Sequence, residues 1–477
     1  MNMNRHHFLA LLAFGALSVA VVSAQTNPDG TIDTGDDHDG EKLVNAESPE
    51  AVAKRLEWWS EARFGMFIHW GLYAHDGCFW KGQDGKTEHM MRHLQIPIAE
   101  YEKIATEFNP AKFSADEWVR IAKDAGMKYM VITTKHHDGF AMFESPSNDY
   151  NIVKRTPFKR DVIKELAEAC RKHGLKFGVY YSLGRDWHDP DVPTSVKNDG
   201  NRRSNTWDFP DEDKKDFTKY FERKVKPQVR ELLTQYGPIA VMWFDTPERI
   251  AKKQSQELLA LIHELQPDCI VNARVGHRLG DYAVSEQKIP ASGDVQPWET
   301  CMTLNRHWGY KKDDDDWKPT VTLIRNMVDI TSKGGNFLLN VGPTGEGIIP
   351  TPSIERLAEV GAWMKVNGEA IYGTTASPFA ARLAWGRATQ KATKDGAKVY
   401  LHVFDWPANG SLAVPNIGKV ESATLLADGR QLPVNTDGGR VDITVPAASP
   451  DKISSTIVLK VKGPVQTASS DSEKAGK

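Results

Sequence analysis

Cysteine is scarce, with four in 477 residues, at Cys78, Cys170, Cys269 and Cys301, and no Cys-x-x-Cys pair among them. That spacing excludes a disulfide-stapled scaffold, a zinc ribbon and a redox motif, and it predicts free, mostly buried thiols. A basic block is also missing. The 60 Lys and Arg residues stand against 63 Asp and Glu for a formal charge of −3. Nothing is therefore clustered enough to displace counterions from a phosphate backbone, and nucleic acid is excluded as a partner. Beyond the N-terminus no apolar run is long enough to cross a bilayer, and no internal repeat is visible. What remains is 40% hydrophobic, 9% aromatic and 26% charged, the composition of a globular protein long enough for one large barrel plus a satellite domain.

The two ends read differently from the rest. Arg5, His6 and His7 precede an apolar run from Phe8 to Val22, and Val22-Ser23-Ala24 offers the small residues that signal peptidase needs before Gln25. Residues 1–24 are thus expected to be a secretory signal, which places the chain in the periplasm or outside the cell, off the membrane once the signal is cleaved. Residues 25–50, rich in Asp, Gly and Thr, are expected to be a flexible lead-in, and 464–477 a disordered tail.

Residues 51–373 alternate short apolar runs with helical patterns. Strands are expected at Phe64–His69, Tyr129–Thr133, Phe177–Ser182, Ala240–Asp245, Cys269–Asn272 and Phe337–Val341, each nearly all apolar, as in a parallel sheet covered on both faces. Helices are expected over Ser114–Ala125, from Asp161 to His173, over Asp211–Tyr236, Ser255–Leu265, Pro319–Ser332 and Pro352–Asn367. The rhythm is α/β and fits a (β/α)8-like TIM barrel; an open doubly wound sheet would carry a Gly-rich phosphate turn after its first strand, and none is seen. In residues 374–463 alternating segments such as Lys398–Phe404, Lys419–Leu426, Arg440–Val445 and Ser455–Val461 are punctuated by Gly, Asn, Asp and Pro, the pattern of a small C-terminal antiparallel β-sandwich.

In such a barrel the polar residues that follow a strand directly have the best odds of function. Asp245 closes the run Val241-Met242-Trp243-Phe244; it is either a pocket carboxylate or a cap for a helix near Thr246-Pro247-Glu248. His136 and His137 are adjacent, so on an extended segment they point to opposite sides, and a metal would need His69, with or without Asp138, to converge on them. Fourteen tryptophans are present, of which Trp70, Trp80, Trp187, Trp243, Trp298 and Trp308 fall near presumed strand ends. Their faces suit either the core or the C–H face of a sugar ring. Glycoside hydrolysis needs a second carboxylate, and Glu286 and Glu299 are the two candidates. The Asp313–Asp316 run lacks the spacing of a calcium loop and reads as a solvated turn.

Three of these stretches together resemble the α-L-fucosidases of glycoside hydrolase family 29. They are Arg63-Phe64-Gly65-Met66-Phe67-Ile68-His69-Trp70-Gly71, Lys128–Phe140 ending in His136-His137-Asp138-Gly139-Phe140, and Ser332–Pro343 with Gly334-Gly335-Asn336-Phe337-Leu338-Leu339-Asn340-Val341-Gly342-Pro343. The resemblance implies a retaining exo-glycosidase, built as a barrel with a C-terminal β-sandwich, that takes terminal fucose from oligosaccharides or glycoconjugates. Asp245 matches its nucleophile, and Glu286 its acid/base, with Glu299 in reserve. His69, Glu88, His136, His137, Tyr180, Trp243, Arg274 and Trp308 match sugar-contacting positions. Asp245 is then expected to stay ionised beside Arg274, and Glu286 to be raised by burial and by the neighbouring negative charge. No metal or organic cofactor is implied. His89 stands where relatives usually have tryptophan, a departure in the pocket wall. A fucose-binding protein that has lost catalysis, or a metal-dependent hydrolase, would share parts of this pattern.

Overall fold

Eight short runs of the chain pair side by side in parallel in the computed structural model, which describes residues 42–44, 47–193, 204–292, 296–437 and 440–465. The expected signal peptide, most of the lead-in and nearly all of the tail lie outside the described residues. The strands are β1 Phe64–Ile68, β2 Tyr129–Lys135, β3 Lys176–Ser182, β4 Val241–Asp245, β5 Ile270–Val271, β6 Ala283–Glu286, β7 Trp298–Thr303 and β8 Asn336–Val341. Their order is β5-β4-β3-β2-β1-β8-β7-β6, and a parallel bridge between Asn272 and Tyr282 joins the two edges into a barrel.

Strand parity divides the side chains. Phe67, Tyr129, Val131, Tyr180, Val241, Trp243, Tyr282, Cys301 and Leu338 fill the barrel interior as one cluster, while their neighbours Met66, Ile68, Met130, Met242 and Phe244 face the helices. The helices start and stop where their caps dictate. Ala115–Asp124 is capped by the Ser114 side chain. Val162–His173 is capped by Asp161 and ends at Gly174, whose φ of 76° suits a residue without Cβ.

Three departures from expectation have local causes. The helix anticipated from Asp211 begins at Phe217, capped by Asp216, and widens into a π-turn over Phe221–Val225 before Lys226–Gln235. Pro227 has no N–H to give the carbonyl four residues back, so the regular ladder cannot run through it. Strands β6 and β7 have no apolar run to announce them, because Ser285, Glu299, Thr300 and Thr303 are buried polar residues within or beside them. Strand β5 is two residues long, and the Asn272 side chain takes over its pairing: its amide accepts from Phe244 N at 2.9 Å and donates to Phe244 O at 2.9 Å. Among the described residues no α-helix lies between β5 and β6 or between β6 and β7.

The C-terminal strands form a five-stranded sheet and a three-stranded sheet, all antiparallel, around their own apolar core. Trp363 Nε1 donates to Ser454 O at 2.9 Å and ties this sandwich to the helix Thr351–Asn367. Leu43 and Val44, expected in the lead-in, are instead held to Gln296 and Arg278. All four cysteines are free and buried. No helix among the described residues is long and apolar enough to cross a membrane.

Candidate active site

The carboxyl ends of the strands open onto a cavity of about 340 Å³, the lower end of the range for small-molecule sites. Asp245 reaches it by parity: Val241 and Trp243 point into the barrel, so Asp245 on the last step of β4 does the same. It is in register with Ser182 on β3, as Trp243 is with Tyr180. Thr246 then turns the chain away at a φ of 51°. The bend is held by Leu183 N donating to Asp245 O and Gly184 N donating to Thr246 O. Asp245 is therefore a pocket carboxylate and not a helix cap; the next helix, Lys252–Leu265, begins well beyond it.

One guanidinium joins the two acids. Arg274, in the turn after β5, donates from Nη1 to Asp245 Oδ1 at 2.8 Å and from Nη2 to Glu286 Oε2 at 2.7 Å. Tyr180 donates its hydroxyl to Asp245 Oδ2 at 2.7 Å. Burial works to raise Asp245, but the charge of Arg274, the Tyr180 hydroxyl and the charge of Arg185 outweigh it and hold the carboxyl below its ordinary range. Glu286, at the end of β6, has a side chain 29% exposed. It is partly buried beside the Asp245 charge, as expected, and is also drawn onto the Arg274 cation.

Four imidazoles, His69, His89, His136 and His137, line the same cavity. His69 Nδ1 donates to Asn340 Oδ1 at 2.7 Å, and the amide is oriented by Asn340 Nδ2 donating to Trp308 O at 2.7 Å, so His69 Nε2 carries the lone pair. Burial pulls His69 down to about 4, against the Asn340 bond and the Asp245 charge. His136 and His137 do not diverge as an extended segment would make them. Strand β2 ends at Lys135, a turn follows, and both rings line the pocket with centroids 4.1 Å apart. Gly139 closes that turn at a φ of 75°, where a Cβ would meet Asp186 Oδ1 at 2.2 Å. Burial, with the neighbouring imidazoles and Arg185, holds His89, His136 and His137 well below the usual histidine range, so all three are neutral.

Of the other anticipated residues, Glu88, Trp243 and Trp308 also line the pocket. Glu88 accepts from Gly309 N at 3.3 Å and is raised by burial. Glu299 does not line it. It lies fully buried within the barrel, accepting from Tyr129 at 2.6 Å and Trp243 Nε1 at 3.0 Å, and burial pushes it up to about 7. It is a strut beneath Trp243, with no path to a leaving group. Asp138 is turned away as well, accepting from Tyr101 at 3.0 Å, so the metal set His69, His136, His137 and Asp138 is not assembled. The set that does come together is His89, His136 and His137, with ligand atoms all within 4.8 Å of one another. Trp70, Trp187 and Trp298 are core residues. The pocket also contains Phe67, Arg92, His93, Arg185 and Thr246, which sequence reasoning passed over. Arg185 lies three residues beyond β3, and the rule that polar residues after a strand face the site would have found it.

Comparison with known proteins identifies the family. The α-L-fucosidase family profile matches residues 37–369. The chain is 30% identical over 432 residues to the tissue α-L-fucosidase of Homo sapiens, covering 85% of this chain and 88% of the human protein. It is 32% identical over 412 residues to the plasma α-L-fucosidase of Rattus norvegicus, covering 79% of this chain and 83% of the rat protein. The solved structure of α-L-fucosidase isoenzyme 1 from Paenibacillus thiaminolyticus superposes with a TM-score of 0.79 at 39% identity, covering 87% of this chain and all of that one. The chain belongs to the α-L-fucosidases of glycoside hydrolase family 29, and it is a glycosidase.

Proposed function

We propose that the protein is an exported, retaining exo-α-L-fucosidase in which Asp245 attacks the anomeric carbon and Glu286 serves as acid and then base. The observation that carries the reading is the single Arg274 fork on both carboxylates. Holding both carboxyls on one guanidinium keeps them near each other, as the separation of about 5 to 5.5 Å in retaining pairs requires. In the first step the bond from C1 to the leaving oxygen breaks, Glu286 gives that oxygen its proton, and Asp245 becomes esterified. In the second, Glu286 takes a proton from water as the water oxygen displaces Asp245. Neutral imidazoles at His69, His136 and His137 can accept from or donate to sugar hydroxyls without bringing a charge into the pocket. Glu88 and Tyr180 add polar contacts. Phe67 and Trp308, with ring centroids 6.0 Å apart, give an apolar wall that favours a 6-deoxy sugar, since a hydroxyl pressed there loses its partners. A cavity of this size takes one terminal residue of a fucosylated glycan. Export rests on the pattern of residues 1–24. A protein that only bound fucose would have no use for two carboxylates sharing one cation.

The test is a fluorinated fucoside that traps the ester, read by peptide mass spectrometry, with the anomer of the first-formed product read by NMR. Label on Asp245 and release of the α-anomer are expected. Label on another side chain, or the β-anomer, refutes the mechanism.

A further inference from the structure

The loop after β1 and the turn after β2 bring His89, His136 and His137 onto one wall, with ring centroids 4.1 to 5.9 Å apart. We propose that these three imidazoles form a binding site for a divalent transition metal, zinc foremost, and that its occupancy reversibly closes the sugar pocket.

Three observations carry this. Zinc–nitrogen bonds of about 2.0 to 2.1 Å place the nitrogens of a tetrahedral site roughly 3.3 Å apart. The three ligand atoms here are all within 4.8 Å of one another, so the wall needs to close by no more than about 1.5 Å. Second, His137 is already oriented as a ligand: its Nδ1 donates to Ser182 Oγ at 2.6 Å, while Ser182 Oγ donates to Arg185 O at 2.9 Å. The hydroxyl proton is committed elsewhere, so the imidazole proton sits on Nδ1 and Nε2 keeps its lone pair. A hydrogen-bond partner that fixes the tautomer is what metal-binding histidines use. That Nε2 lies 3.7 Å from Asp245 Oδ2, which points the remaining coordination position at the carboxylate or a water. Third, His136 is buried and its Nδ1 has no hydrogen-bond partner, a costly condition for a buried polar atom.

Charge is close to balanced around the site, with Glu88, Asp245 and Glu286 set against Arg92, Arg185 and Arg274. Imidazole chemistry and geometry therefore select the ion, favouring zinc, copper and nickel over magnesium and calcium. His69 stays outside the set because its ring nitrogens are not among the ligand atoms that lie within 4.8 Å of one another. The site requires no assignment of nucleophile or acid. Its consequence for activity follows only from His136 and His137 lining the same cavity as Asp245.

The test uses the whole chelator-treated enzyme titrated with zinc chloride by calorimetry, and with cobalt chloride by visible absorption. The expected result is saturation at one equivalent and tetrahedral cobalt bands. Affinity should fall by about 100-fold or more in His89→Phe, and by about 10- to 100-fold in Ser182→Ala, which removes only the orienting partner. Zinc should raise the unfolding temperature of the wild type by mass action. It should also raise KM for a nitrophenyl α-L-fucoside without lowering kcat, and chelator should reverse the effect. Absence of saturable binding, equal affinity in His89→Phe, octahedral cobalt spectra, or zinc inhibition that substrate does not relieve would each overturn the proposal. Should His89→Phe fail to fold by circular dichroism, His136→Gln carries the same comparison.

Discussion

Replacing Arg274 by Gln isolates the electrostatics of the site. In the native pocket Asp245 is 9% exposed, and burial alone would push its carboxyl up; the Arg274 charge is the largest influence acting the other way. A neighbouring cation favours the ionised carboxyl, so removal of the guanidinium should carry Asp245 up. The sign is fixed by the chemistry. Attack needs the carboxylate, activity is lost as pH falls through its pKa, and a raised pKa moves that loss toward neutrality. The assay is kcat/KM for a nitrophenyl α-L-fucoside across pH, which reports the groups of the free enzyme. In Arg274→Gln the acid limb should sit at higher pH than in the wild type. Arg274→Lys keeps the charge and should move the limb less, although it cannot hold both acids as a fork does. Low activity is expected of both variants, and only the position of the limb is diagnostic. If Arg274→Gln loses activity with its acid limb unmoved, Asp245 is not the group whose ionisation the arginine secures.

Two further outcomes separate the roles of the buried acids. With azide and an activated leaving group, Glu286→Ala should yield α-L-fucosyl azide and Asp245→Gly the β-anomer, while Glu299→Ala should show no azide rescue. Glu299→Ala should instead be less stable by about 2 to 4 kcal/mol in denaturant unfolding, because Tyr129 and Trp243 are left without their buried acceptor; rescue by azide there would return the acid role to Glu299. The pH dependence of stability should carry opposite signs at two positions. Unfolded His69 takes up a proton below about 6.5 while folded His69 stays neutral to about 4, so it costs stability as pH falls through that window, by about 3 kcal/mol. His69→Gln should therefore gain on the wild type between pH 6.5 and 4. Glu299, raised to about 7 when folded, costs stability as pH rises from about 4.5, so Glu299→Gln should gain on the wild type toward pH 7. Melting curves in a pH series check both, and parallel curves would refute them.

The barrel was legible wherever a strand was covered on both faces, because an unbroken apolar run such as Val241–Phe244 has no other economical place in a chain of this length. Strands β6 and β7 were not, since Glu299 and Thr300 interrupt the pattern. What makes Glu299 tolerable inside a barrel is a phenol from β2 and an indole from β4, partners distant in sequence. The same non-locality explains Glu299 itself: sequence places an acid next to Trp298, and only the fold reveals that it faces inward beneath Trp243. Of the pocket, Asp245, Glu286, Arg274 and the first three histidines were legible by motif, and their convergence follows from each standing at the carboxyl end of a strand. The shared orientation of His136 and His137 was not legible, because adjacency argues for divergence until the strand is known to end at Lys135.

The position of Arg274 acquires a further meaning when the charge on the two acids is followed through the proposed reaction. Before attack, Asp245 is the anion and Glu286 holds the proton. After it, Asp245 is a neutral ester and Glu286, having given its proton away, is the anion. The pair carries one negative charge in both states, and the charge changes side chain at each step. A single cation touching only Asp245 would stabilise the starting enzyme at the expense of the intermediate and so slow the first step. A fork with one nitrogen on each acid faces the charge wherever it resides and favours neither state over the other. This is why Arg274→Lys should not behave as a conservative change: a point charge can sit beside one acid at a time. The two half-reactions should then separate in pre-steady-state kinetics, with release of nitrophenol and hydrolysis of the ester slowed by different factors. Equal slowing of both would mean that the fork contributes only to sugar binding.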